Sequence, residues 1–220
     1  MEIPGVTAVS SAIRHHLNSE LGDAQTASQL AELLLQDTLT WRAPTIAPQQ
    51  LDTLIAFSFG NRLQPNGNSE PGPTNEALAK ALVSVHRIKP VHVYAQWEVA
   101  EAVGDLIPEA TISSIYPRRG NNAEMIYLST DGVLAAIVTD AGPAHVLGKV
   151  GIIAFSDHQF RCVTTARRRG LDAYAPADIA MPSTYDPESG QPWCRTRMAY
   201  LLHDIGERIA ARRAEAIGMG

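Results

Sequence analysis

Ser156, Asp157, His158 and Arg161 follow directly on an uninterrupted apolar run, Val150-Gly151-Ile152-Ile153-Ala154-Phe155. They gather a hydroxyl, a carboxylate, an imidazole and a guanidinium on one short stretch. An imidazole titrates near neutral pH and can pass a proton in either direction. A guanidinium can hold a phosphate or carboxylate through two parallel hydrogen bonds. Acid/base chemistry on a small anion is what this set could do, with His158 as acid or base and Arg161 as anion clamp. Arg161, three residues after His158, shares its helical face. Each also has a plainer reading: His158 as a helix-start residue satisfied by nearby backbone, and Arg161 as the partner of Asp157.

Three further places invite the same question. In Phe59-Gly60-Asn61-Arg62, Gly60 sits where a backbone can approach a ligand closely, and Asn61 and Arg62 could bind its oxygens. A glycine needed only by the turn is an equal reading. Glu98 stands in a first helical turn, where it could act as a base or hold a ribose hydroxyl. It would also stabilise a helix start by charge alone. Thr130, within Ser129-Thr130-Asp131, could offer a pocket hydroxyl or belong to a helix cap. GxxxxGK[ST], GxGxxG and GxSxG are all absent, which removes the usual phosphate loops and the standard α/β-hydrolase elbow. His203 and Glu207 share an i, i+4 face, but surface pairing is favoured over half a metal motif. His15 and His16, adjacent in sequence, point to different faces of a helix.

The elements that must position these residues alternate between strand and helix. Strands are expected over 54–59, 91–95, 110–116, 150–155 and 171–175, with helices over about 74–86, 98–106, 131–141 and up to Gly170. A loop of turn-forming composition is expected over 117–122, and an irregular segment over 176–192. This alternation predicts a mostly parallel sheet covered on both faces. Ligands in such sheets sit at the carboxyl ends of the strands, where Gly60, Glu98, Thr130 and the stretch from Ser156 to Arg161 are expected. Residues 1–50 read as an N-terminal helical extension, with Val9, Ile13, Leu17 and Leu21 spaced by four and Thr26 or Ser28 as cap of its second helix. Thr74 is the expected cap of the first helix after the sheet begins. The last helix is expected over 193–214.

Composition narrows the function class. At 220 residues and 45% hydrophobic, the chain can bury a full core without staples. A net charge of -5 with no basic stripe disfavours nucleic acid as a partner. Arg167-Arg168-Arg169 lies near a helix end, where cations offset the helix dipole. Cys162 and Cys194 are far apart and lack CxxC spacing, so neither a zinc site nor a disulfide is expected. Without a signal-peptide pattern at Met1–Val9 or an apolar stretch of about 20 residues, no membrane span is expected. The expected location is the cytoplasm.

The order of these motifs resembles the YdcF/SanA/ElyC-like family of bacterial proteins, over roughly residues 52–210. The matching pieces are Ala56 to Arg62, Tyr94 to Glu98, Ser129 to Asp131, and Phe155 to Gly170. The last is the most specific: Ser156-Asp157-His158-Gln159-Phe160-Arg161, then Ala166-Arg167-Arg168-Arg169-Gly170-Leu171. Two turns depart from the family pattern. Ala95-Gln96-Trp97 replaces its Ser-Gly-Gly turn, and Asp131-Gly132-Val133 replaces its Glu-Asn-Ala run. The resemblance implies a Rossmann-like three-layer α/β sandwich over 51–220. It also implies S-adenosylmethionine as a candidate ligand, since one branch of the family is reported to bind it. It implies no general catalytic mechanism.

Three functions follow as expectations. The first is a hydrolytic or group-transfer enzyme acting on a small anionic or nucleotide-like molecule, with His158 and Glu98 as its acid/base residues. Gly60, Asn61, Arg62, Thr130, Ser156, Asp157 and Arg161 would line its site. The second is a binding module for S-adenosylmethionine or a related nucleoside, without chemistry. The third is an assembly protein, a homo-oligomer built through the first and last helices.

Overall fold

The computed structural model describes residues 6–65, 67–119 and 125–218. Contacts divide the chain into two compact units: a helical unit, Met1–Trp41 with His203–Gly220, and a sheet unit, Arg42–Leu202.

The helical unit contains α1 (Val6–Leu21), α2 (Ala24–Leu33) and a π turn over Leu34–Thr38. Neither Thr26 nor Ser28 caps α2. Asp23 does, because its carboxylate can accept from two exposed amides, Gln25 N and Thr26 N, each at 3.0 Å. The Thr26 hydroxyl instead donates to Asp23 at 2.7 Å, and this bond holds the carboxyl below its ordinary range.

In the sheet unit, β1 (Thr45–Ile46), β2 (Thr53–Ala56), β3 (His92–Gln96), β4 (Ile112–Ile115), β5 (Lys149–Ile153) and β6 (Asp172–Pro176) form one sheet. Their spatial order is β1-β6-β5-β2-β3-β4, and every neighbouring pair is parallel. The helical extension expected over 1–50 therefore gives way earlier. Thr45 and Ile46 pair with Ala175 and Pro176, and the unit boundary falls at 41/42.

Helices α3 (Gly72–Ile88) and α4 (Trp97–Val103) link β2, β3 and β4, and α5 (Thr130–Ala141) and α6 (Gln159–Arg168) continue through β5 to β6. Alternate side chains of each strand serve opposite faces. Leu54, Ala56, Val93, Ala95 and Ile153 pack with Leu78, Leu82 and Val85 of α3 and Val99 and Val103 of α4. Ile55, Tyr94, Ile152 and Ala173 pack with Val133, Leu134 and Ile137 of α5 and Val163 and Ala166 of α6. The result is a Rossmann-like three-layer α/β sandwich. Gly151 matters to it: a Cβ there would meet Leu51 Cδ1 at 2.6 Å and Leu54 Cδ2 at 2.7 Å.

Three element boundaries depart from the sequence expectation. The strand expected over 54–59 ends at Ala56, since beyond Phe57 the amides of Ser58 and Phe59 bond to side chains rather than to a neighbouring strand. Thr74 does not cap α3, which starts two residues earlier at Gly72 with proline in its first turn; Thr74 is buried within that turn. The last helix, α7 (Arg197–Ala216), begins after a 3-10 turn over Pro192–Cys194 that carries Cys194 into the core. Gly120, Asn121 and Asn122 of the expected loop lie outside the described residues. The flanking Arg118–Arg119 and Met125–Ile126 pair as a short antiparallel ribbon.

Candidate functional site

Leaving β2, the chain adds β3 and β4 on one side, then returns with β5 on the other. That reversal between β2 and β5 is a topological switch point, where crevices open beyond the carboxyl ends of parallel strands. Two segments meet there: Phe57-Ser58-Phe59-Gly60 after β2, and Ala154 to His158 after β5.

Side chains fix the first segment. Ser58 N donates to Gln96 Oε1 at 2.9 Å, and Phe59 N to Asn75 Oδ1 at 2.8 Å. Asn75 Nδ2 in turn donates to the carbonyls of Gly60 and Pro71, at 2.8 and 2.6 Å. Gly60 adopts a φ of 69°, and a Cβ there would lie 2.3 Å from Ser189 Oγ. Its glycine is thus required by the turn and by the close approach of the Ser189 segment.

Next to this turn, at the carboxyl end of β3, Glu98 is 0% exposed. Its Oε1 accepts a short hydrogen bond from the Tyr127 hydroxyl. That hydroxyl also lies 2.8 Å from Ser58 Oγ. Glu98 Oε2 makes no hydrogen bond, although Ser58 and Asn61 lie close enough to favour the ionised form. Burial outweighs them and raises the carboxyl's pKa. Burial, reinforced by the Glu98 carboxyl, also pushes the Tyr127 hydroxyl well above the usual phenol range. Tyr127 nevertheless remains 39% exposed as a residue. Its ring reaches from the surface to a hidden acid.

The other predicted residues are distributed around this point. His158 is buried and packs against rings of Phe57, Phe59 and Tyr200, with centroids 6.2, 6.3 and 5.9 Å away. Arg161 donates to the hydroxyls of Thr130 and Tyr200, each at 3.3 Å, so Thr130 and Arg161 do meet. Asp157, by contrast, receives two bonds from Arg197, at 2.9 and 3.1 Å, and one from Tyr185 at 2.8 Å. Its expected alternative partner, Arg161, is not the residue that claims it. Arg62 is likewise committed, to Asp186 at 2.9 and 3.0 Å and to Glu188 at 2.9 Å. Ser156 N donates to the Pro182 carbonyl.

These last contacts belong to a segment that crosses the carboxyl edge. Tyr185 places its ring 4.7 Å from Phe155 and 5.6 Å from Phe59. Ser189 packs on Gly60, and Arg195 Nε donates to Ser189 O at 2.7 Å. Beside the segment lies a cleft of about 850 Å³ walled by α3 residues such as Thr74 and Lys80 and by Ile179, Met181 and Tyr185. Arg62 is the sole predicted site residue on its wall; Glu98, His158 and Arg161 are not part of it. The hydrogen-bonded acid, rather than the cleft, marks the chemistry. Cys162 and Cys194 are both buried, and burial pushes the Cys194 thiol up to about 12, far from a reactive thiolate.

Sequence reading missed Ser58 and Tyr127. Ser58 offered a usable signal, a hydroxyl in the same strand-exit turn as Gly60. Tyr127 offered none, being one residue of a short apolar piece 29 positions from Glu98. Among the described residues, no helix is long and apolar enough to cross a membrane. No protein-family model matches the chain, and no curated protein or solved structure matches it.

Proposed function

We propose that the sheet unit is an enzyme acting on a small anionic or nucleotide-like molecule at the carboxyl edge of the parallel sheet. One observation carries this reading: Glu98, wholly withdrawn from water, keeps one oxygen without a hydrogen bond while the other is bridged through Tyr127 to Ser58. An acid whose proton affinity is raised by burial at the carboxyl edge of a parallel sheet is suited to proton transfer. His158 serves as a second acid/base residue and Arg161 as the anion clamp, with Thr130 beside it. Arg62, Asp157 and Ser156 contribute by holding the covering segment rather than by touching substrate. The likeness of the motif order to YdcF/SanA/ElyC-like proteins supports a site at this edge. Two buried cysteines far apart in the sequence suit a reducing compartment, and the cytoplasm is the proposed location.

The test is a product assay over phosphate esters, carboxylic esters, nucleotides and S-adenosylmethionine, run on the whole protein and on Glu98→Gln. Turnover of one class should fall about 100-fold or more in the variant, with its melting temperature not lowered. Equal turnover by both proteins would remove Glu98 from the reaction. A second reading, binding of S-adenosylmethionine or a related nucleoside without chemistry, draws support from the cleft, whose size suits such a ligand. It expects a melting-temperature rise with ligand and no product.

A further inference from the structure

We propose that Ser58 is a nucleophile, activated through Tyr127 by Glu98, and that it attacks an acyl ester of the molecule bound at this edge. The proposal deepens the enzymatic reading above and rests on it.

Ser58 stands two residues past the end of β2, at the switch point. Its amide is held by Gln96 and the next amide by Asn75, so the backbone that carries the hydroxyl is fixed from both sides. Such fixation keeps an attacking atom in place without reorganisation. The Tyr127 hydroxyl owns one proton, and it donates that proton to Glu98 Oε1. With Glu98 ionised and the Tyr127 proton committed to it, the Ser58 hydroxyl, which also lies near Glu98, is the donor of the 2.8 Å bond to Tyr127 Oη when its proton turns that way. Donation then runs in one direction, from Ser58 to Tyr127 to Glu98.

That line of donors lets a weak nucleophile lose its proton as it attacks. Ser58 Oγ forms a bond to the ester carbonyl carbon. Its proton passes to Tyr127 Oη while the Tyr127 proton passes to Glu98. As the tetrahedral adduct collapses, the bond from carbon to the alcohol oxygen breaks. Reversal of the relay delivers the proton to the departing alkoxide. Water repeats the cycle on the acyl-serine, releasing the carboxylic acid and restoring Ser58. No oxidant, reductant or further reagent enters the balance.

Charge selects the substrate class. The relay needs an ionised Glu98 close to the point of attack, and a phosphoryl group carrying negative oxygens would be repelled there. A neutral ester carbonyl would not. Any anionic part of the molecule is then remote from the bond that breaks. Because burial makes Glu98 hold its proton more tightly, the relay strengthens as pH rises through that raised pKa.

The test uses an uncharged alkyl fluorophosphonate on the full-length protein. Here Ser58 Oγ bonds to phosphorus, the P–F bond breaks, fluoride leaves, and the proton follows the same relay. Intact-mass and peptide mass spectrometry should find one phosphonyl group, on Ser58, and none on Ser58→Ala. Tyr127→Phe and Glu98→Gln should label about 100-fold more slowly, with circular dichroism unchanged. Wild-type labelling should accelerate with pH, whereas that of Glu98→Gln should not. An unlabelled wild type, or a label on another residue, overturns the proposal even if Ser58→Ala fails to fold. If Ser58→Ala retains ester turnover that Glu98→Gln loses, the nucleophile falls and the enzymatic reading survives. If neither variant changes turnover, both fall.

Discussion

Asp204 in the helical unit and Glu98 in the sheet unit are both fully withdrawn from solvent, yet their partners differ in kind. Asp204 lies 2.5 Å from the Arg208 guanidinium. Arg208 also donates to the carbonyls of Asp37 and Thr40 and lies 4.1 Å over the Trp41 ring. Nearby, Asp37 takes two bonds from Arg212, at 2.6 and 3.2 Å. Glu98 meets a phenol and makes no ion pair among the described residues. A buried carboxylate with a guanidinium against it forms an ion pair that becomes part of the architecture. One without a countercharge lowers its free energy by retaining a proton. That makes it available for proton transfer.

The contrast breaks most visibly in stability. Asp204→Ala removes the charge that faces a buried guanidinium, and urea unfolding should show a loss of about 3 kcal/mol or more. A loss near zero would mean that the cluster holds nothing together. Glu98→Gln should behave in the opposite sense. The folded-state pKa of Glu98 is raised, so its protonated form favours folding and that contribution is lost as pH rises through the raised value. Melting curves of the wild type taken upward from about pH 4.3 should therefore decline relative to Glu98→Gln. Parallel curves would show that Glu98 ionises as freely in the folded chain as in the unfolded one.

Asp186 gives the smallest effect and the mirror-image sign. Its bonds from Arg62 hold the carboxyl below the ordinary range. The stability it contributes is present above about pH 3.9 and is lost as pH falls through the lowered pKa. Asp186→Asn should melt slightly lower than the wild type near neutral pH, and the gap should close in acid. A gap that persists at low pH would assign the effect to packing rather than charge.

Regular elements were largely legible because their signals are local. Val150 to Phe155 reads as a buried strand from its own composition, and α5 begins where Ser129 accepts from Gly132 N, as its cap chemistry predicts. Boundaries failed where a distant side chain intervened. The strand after Thr53 stops at Ala56 because Gln96 and Asn75 draw the next two amides away from the sheet. Likewise Thr26 lost the capping role to Asp23, whose carboxylate is the stronger acceptor.

The candidate site was legible as a place but not as a set of partners. Alternation of strand and helix is enough to predict that Gly60, Glu98, Thr130 and His158 all fall at strand exits. Residue types along the chain determined as much, since periodicity and turn chemistry act over a few positions. Only tertiary structure decided which side chains are committed. It ties Arg62 to Asp186 across 124 positions and brings Tyr127 to Ser58 across 69. Hydrogen bonds and desolvation depend on distances of a few ångströms, which chain separation does not encode. The same dependence turned Glu98, one glutamate among several in the sequence, into the buried acid on which the proposed chemistry rests.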